Sequence, residues 1–64
     1  NIINPSVNLS GGVDIGHFNL IGTSATILQY VKINNEIIIG ANSLVNKNIV
    51  EKGVYVGTPC KKIK

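Results

Sequence analysis

Three features of the sequence predict an all-β fold, a parallel β-helix wound from six-residue units. An aliphatic residue recurs at every sixth position, the residues between favour turns and extended backbone, and 64 residues bury little core unaided. Counted from Ile3, the sixth positions are Ile3, Leu9, Ile15, Ile21, Ile27, Ile33, Ile39 and Val45. Ile, Leu and Val occupy 22 of 64 positions, so eight in succession would arise by chance roughly once in several thousand trials. An amphipathic helix would instead need apolar residues at i, i+3, i+4 and i+7, with helix formers between them.

Six residues hold one short strand and one corner. The fourth position after each aliphatic is small or β-branched at Val7, Val13, Ala25, Val31, Ile37, Ser43 and Ile49, and departs from this only at Asn19. That position and the next aliphatic are two apart, so both point to one side of a strand. Val7 with Leu9, Val13 with Ile15, Ala25 with Ile27 and Val31 with Ile33 therefore form inward pairs. Corners fall at Pro5-Ser6, Gly11-Gly12, His17-Phe18 and Thr23-Ser24. Three sides close a triangular coil of 18 residues, giving about three coils over 3–20, 21–38 and 39–56. Stacking sets Ile3 over Ile21 and Ile39, Leu9 over Ile27 and Val45, and Ile15 over Ile33.

The frame meets Glu51 where an aliphatic is due, and an unpaired charge does not sit inside a narrow coil. The solenoid is therefore expected to stop near Val50. Repeats cover 3–50, and a short terminal strand with a basic tail covers 51–64, all in a single domain over 1–64. Nothing before Ile3 covers the first coil, so the chain is expected to be the C-terminal part of a longer solenoid.

Composition narrows the function classes. Cys60 and His17 are the only residues of their types, which excludes an internal disulfide and a tetrahedral zinc site drawn from one chain. The longest aliphatic run, Ile37-Ile38-Ile39, is far short of the ~20 residues of a membrane span. The opening Asn1-Ile2-Ile3-Asn4-Pro5 lacks the basic and apolar stretches of a secretory leader, so a cytoplasmic location is expected. Nucleic acid is not an expected partner, because the net charge of +3 comes with no Arg and few aromatics. So small a core points to association with other subunits.

The residues then become familiar. Ile15-Gly16, Ile21-Gly22 and Ile39-Gly40-Ala41-Asn42-Ser43 resemble the left-handed β-helix hexapeptide acyltransferases. The ending Lys52-Gly53-Val54-Tyr55-Val56-Gly57-Thr58-Pro59-Cys60-Lys61 is similar to that superfamily's frequent terminal motif. The opening Ile3-Asn4-Pro5-Ser6-Val7-Asn8-Leu9-Ser10-Gly11-Gly12-Val13 resembles its sugar O- and N-acetyltransferase branch. The resemblance implies a left-handed coil and a homotrimer with acetyl-coenzyme A between neighbouring β-helices. It also implies transfer of acetyl to an amine or hydroxyl of a sugar or nucleotide-linked sugar. Gly11, Thr23 and Ala41 lie where the branch makes its acetyl-coenzyme A contacts. The branch's histidine base falls upstream of Asn1, and a second, cofactor-contacting histidine of some members falls at Ile2 here. No catalytic residue is therefore assigned within the chain, and no metal ligand.

Corners need small or turn-forming residues in any case, so each of the three contact positions also has a purely structural reading. His17 occupies an outward corner and is expected to be no more than that, and Cys60 has no histidine beside it to activate a thiolate. Two other classes stay open. One is a non-catalytic assembly module, although the outward residues Asn8, Asp14, Leu20, Thr26, Lys32 and Ile38 show no regular array. The other is a carbonic-anhydrase-like hexapeptide protein whose metal ligands lie outside these residues.

Overall fold

The computed structural model describes residues 1–64 as strand and turn, with no helix. Each of the first seven corners turns on a residue in the left-handed region, and these recur at a period of six. They are Ser6, Gly12, Phe18, Ser24, Tyr30, Glu36 and Asn42, with φ between 58° and 72°. Such a conformation costs an L-residue roughly 1–2 kcal/mol. In return each corner sends the chain onto a new side of the triangle. The expected corners are all present.

Eight short strands make the three coils: β1 (Ile2–Ile3), β2 (Asn8–Leu9), β3 (Asp14–Ile15), β4 (Leu20–Ile21), β5 (Thr26–Ile27), β6 (Lys32–Ile33), β7 (Ile37–Ile39) and β8 (Leu44–Val45). Longer strands β9 (Gly53–Gly57) and β10 (Cys60–Lys62) follow. Face one stacks β1-β4-β7-β9-β10, face two β2-β5-β8 and face three β3-β6. The pairings are parallel and in the expected register: Ile3, Ile21 and Ile39 form one ladder and Leu9, Ile27 and Val45 a second. Ile15 and Ile33 form the third. The architecture is a left-handed parallel β-helix of about three coils.

The stack runs one strand further than the expected stop near Val50. Ile33 bridges to Ile49 and Ile39 pairs with Tyr55, so the last coil spans 16 residues rather than 18. Dropping two residues at the final corner brings Ile49 into the third ladder and carries Glu51 outward. There its carboxylate accepts a hydrogen bond from Lys62 Nζ. That pair holds the Glu51 carboxyl below and the Lys62 ammonium above their ordinary values. β9 then continues face one on β7, and β10 returns antiparallel beside it. Ile21, Ala25, Ile27, Val31, Ile33, Ile37, Ile39, Val45 and Ile49 form the buried core, and Tyr55 and Cys60 pack against its end.

Asn19 stands among these aliphatics at 2% exposure. Its Nδ2 donates to the Asn34 carbonyl at 2.7 Å and its Oδ1 accepts the Ile37 N–H at 2.8 Å. Asn1 makes the same two bonds one coil earlier, to the Gly16 carbonyl and the Asn19 N–H, at 2.7 and 2.9 Å. The departure in the hydrophobic frame is thus an asparagine ladder that ties three coils at one corner. Replacing Asn19 by Leu would orphan the buried Ile37 N–H and the Asn34 carbonyl. A loss of about 1–3 kcal/mol is expected in chemical denaturation of the full-length protein; unchanged stability would show that the ladder is dispensable.

Candidate functional site

Corners 18 residues apart stack, so the solenoid has three edges of different character. The edge between faces one and two carries Pro5-Ser6, Thr23-Ser24 and Ala41-Asn42. The register of Ile39 with Tyr55 extends it to Gly57-Thr58. The second edge carries Gly11-Gly12, Gln29-Tyr30 and Lys47-Asn48, and the third His17-Phe18 and Asn35-Glu36. Tyr30 and Phe18 project into solvent at 74% and 83% exposure. The Tyr30 ring lies over Gly12, where an added Cβ would fall 2.5 Å from Tyr30 Cδ1. Only the first edge is free of large side chains.

Backbones along that edge are tightly stacked. A Cβ on Gly22 would lie 2.6 Å from the Ala41 nitrogen, and the Thr23 carbonyl accepts the Asn42 N–H at 2.9 Å. The N–H groups of Thr23 and Ala41 have no partner within the chain, and both residues are exposed. Unpaired amides also occur at Gly11 and Gln29, so it is the lack of bulk that distinguishes the first edge. Small residues permit a ligand's amides to approach backbone donors closely.

Of the three sequence-predicted contacts, the structure brings Thr23 and Ala41 together on the first edge and sets Gly11 on the second. Gly57 joins the first edge, with its N–H donated to Ser43 Oγ at 3.2 Å and φ at 104°. Only the shortened last coil puts it there.

The outward residues are also more ordered than their sequence order suggests. That order mixes the three faces. Sorted by register, face one presents Ile2, Leu20, Ile38 and Val54 in a single apolar column. The larger cleft, about 280 Å³, opens elsewhere, on face three among Asp14, Lys32, Asn34 and Asn48. The first edge is an open surface, and neither cleft lies on it.

His17 is exposed on the third edge. Its N–H is held by Asn35 Oδ1 at 2.7 Å, its ring lies 6.4 Å from that of Phe18, and the ring makes no ion pair. No three His, Cys, Asp or Glu side chains gather closely enough to hold a metal ion. Cys60 is half-buried at the solenoid end, and burial pushes its thiol above the ordinary value.

No family model matches the chain. It is 40% identical over 55 residues to the putative lipopolysaccharide biosynthesis O-acetyl transferase WbbJ of Escherichia coli, covering 86% of this chain and 28% of that one. Among solved structures, PerB from Caulobacter crescentus in complex with CoA and GDP-perosamine superposes with a TM-score of 0.93. Its identity is 27%, over 97% of this chain and 30% of PerB. The acetyltransferase domain of PglB from Neisseria gonorrhoeae gives a TM-score of 0.92 and 30% identity, over 95% of this chain and 30% of that one. The chain thus spans under a third of the length of these relatives.

A half-buried, protonated thiol reacts slowly. Cys60 is expected to alkylate with iodoacetamide at neutral pH more slowly than free cysteine; faster labelling would reveal an activated thiolate.

Proposed function

We infer, from a chain that belongs with the hexapeptide-repeat β-helices of the sugar O- and N-acetyltransferases, that it supplies the acetyl-coenzyme A wall of such an enzyme. The enzyme transfers acetyl to an amino or hydroxyl group of a sugar or nucleotide-linked sugar, in the cytoplasm, in surface glycan synthesis. PerB, with CoA and GDP-perosamine bound, supports an acceptor of this class.

The observation that carries the reading is the contrast between edges. A pantetheine arm is an extended chain with two amides, and it needs backbone donors flanked by nothing large. Thr23 and Ala41 offer free N–H groups on the lean edge, and Gly57 continues it. The other edges carry Tyr30 and Phe18. The bound thioester supplies an activated acyl group. The acceptor nitrogen or oxygen attacks its carbonyl carbon, the acceptor's proton passes to a base, and the coenzyme leaves as its thiolate, which takes that proton from the base. The residues described here bind and orient; the base is a histidine outside them.

The apolar column on face one borders the lean edge and suits packing against another copy. The assembly is a homotrimer, as the resemblance to the family implies, and the closed symmetry of such an assembly would cover face one of every copy.

Ala41→Trp in the full-length enzyme tests this. The expected result is a large rise in the apparent KM for acetyl-coenzyme A, with the thermal midpoint little changed. His17→Trp is the size-matched control on the third edge, and it also removes the only imidazole of these residues. Its transfer rate is expected to stay within a few-fold of wild type, whereas loss of a general base costs ~10²–10⁴-fold. Equal cofactor binding by the two variants, or a collapse of rate in His17→Trp, would contradict the assignment.

A further inference from the structure

Ser43 is a buried polar side chain in a slot that the coil fills with aliphatics. The equivalent positions carry Val7, Val13, Ala25, Val31, Ile37 and Ile49, and Asn19 at the asparagine ladder. Ser43 is 2% exposed, and its Oγ accepts the Gly57 N–H at 3.2 Å. One and two coils earlier the same column holds Ala25 and Val7, which have no polar side-chain atom. The edge amides that correspond to Gly57 in those layers, Ala41 and Thr23, make no bond within the chain.

The last layer of the first edge is also closed differently from those below it. In the lower layers a corner amide bonds the backbone of the preceding coil. The Ser24 N–H donates to the Pro5 carbonyl at 3.1 Å and the Asn42 N–H to the Thr23 carbonyl at 2.9 Å. The register of Ile39 with Tyr55 puts Thr58 next in that series, and its N–H makes no backbone bond. Two side-chain bonds stand in its place. One is the Gly57 N–H to Ser43 Oγ, and the other is Thr58 Oγ1 to the Asn42 carbonyl at 3.4 Å. The tip of the β9–β10 hairpin, exposed from Val56 to Pro59, is therefore held to the edge by one buried side chain and one exposed one. Gly57, at a φ of 104°, adopts a conformation that brings its N–H to the buried hydroxyl.

We propose that Ser43 is a positioning residue for coenzyme binding, its buried hydroxyl fixing the hairpin tip at the end of the edge that bears Thr23 and Ala41. The inference rests on the reading of that edge as the coenzyme wall. Ser43 lies beneath the edge, so it acts through Gly57 and not on the ligand. An aliphatic in its place suits the core, as Ala25 and Val7 show, but leaves the Gly57 amide without its partner. The tip is then held by Thr58 alone, and the last layer of the wall loses its fixed place.

Ser43→Val and Ser43→Thr in the full-length enzyme test it, because the two new side chains share a shape and differ in the hydroxyl. Ser43→Val is expected to raise the apparent KM for acetyl-coenzyme A about tenfold, as for loss of one hydrogen bond, and to leave kcat within about twofold. Ser43→Thr should keep KM near wild type. Ser43→Ala, which introduces the residue that the column already holds at position 25, should behave as Ser43→Val does and covers a failure of that variant to fold. An unchanged KM in Ser43→Val and Ser43→Ala, while Ala41→Trp still raises it, would overturn the proposal and leave the coenzyme wall standing. A lowered thermal midpoint with KM unchanged would overturn it too, since the hydroxyl would then serve the fold alone. An unchanged KM in Ala41→Trp as well would overturn both readings.

Discussion

Everything in this fold depends on a left-handed residue every sixth position. Ser6, Gly12, Phe18, Ser24, Tyr30, Glu36 and Asn42 each swing the chain onto a new face. The regularity of that turn sets residues 18 apart one above another. The cross-coil bonds follow, such as Gly16 N–H to the Ile33 carbonyl at 2.7 Å and Gly22 N–H to the Ile39 carbonyl at 2.8 Å. Burial of the inward ladders, worth roughly 1.5–3 kcal/mol for each fully buried Ile or Val, offsets the backbone strain.

The same constraint distributes function. Ser6, Ser24 and Asn42 keep the corner between faces one and two small. Phe18, Tyr30 and Glu36 put long side chains into the strained conformation at the other two corners. Bulk is therefore tolerated by the turn itself, and its absence from one edge is a property of that edge. Face one, apolar along its outward column, lies directly beside it. The edge free of bulk and the apolar face are thus neighbours by construction.

The ladders were fully legible in the sequence, because a six-residue period leaves no other element to fit it. The change of frame at Glu51 was legible only as a stop. Shortening a corner by two residues leaves no mark beyond a charge in an aliphatic slot, so Ile49 as the third-ladder residue and Gly57 as an edge residue were not foreseen. Asn19 departs from the hydrophobic frame, and its two bonds to the adjoining coil, which no periodicity marks, are what that departure serves. Of the predicted contacts, Thr23 and Ala41 differ by 18 and share an edge, whereas Gly11 and Thr23 differ by 12 and cannot. That arithmetic was available from the sequence; the bulk on the other edges acquired meaning only once the corners were stacked.

A crystal structure of the full-length protein with coenzyme A bound tests the central claim most directly. The pantetheine amides should run along the edge between faces one and two, with the N–H groups of Thr23 and Ala41 ~3 Å from ligand oxygens. A pantetheine arm lying along the Phe18 edge, or bound without contact to Thr23 and Ala41, would contradict the account.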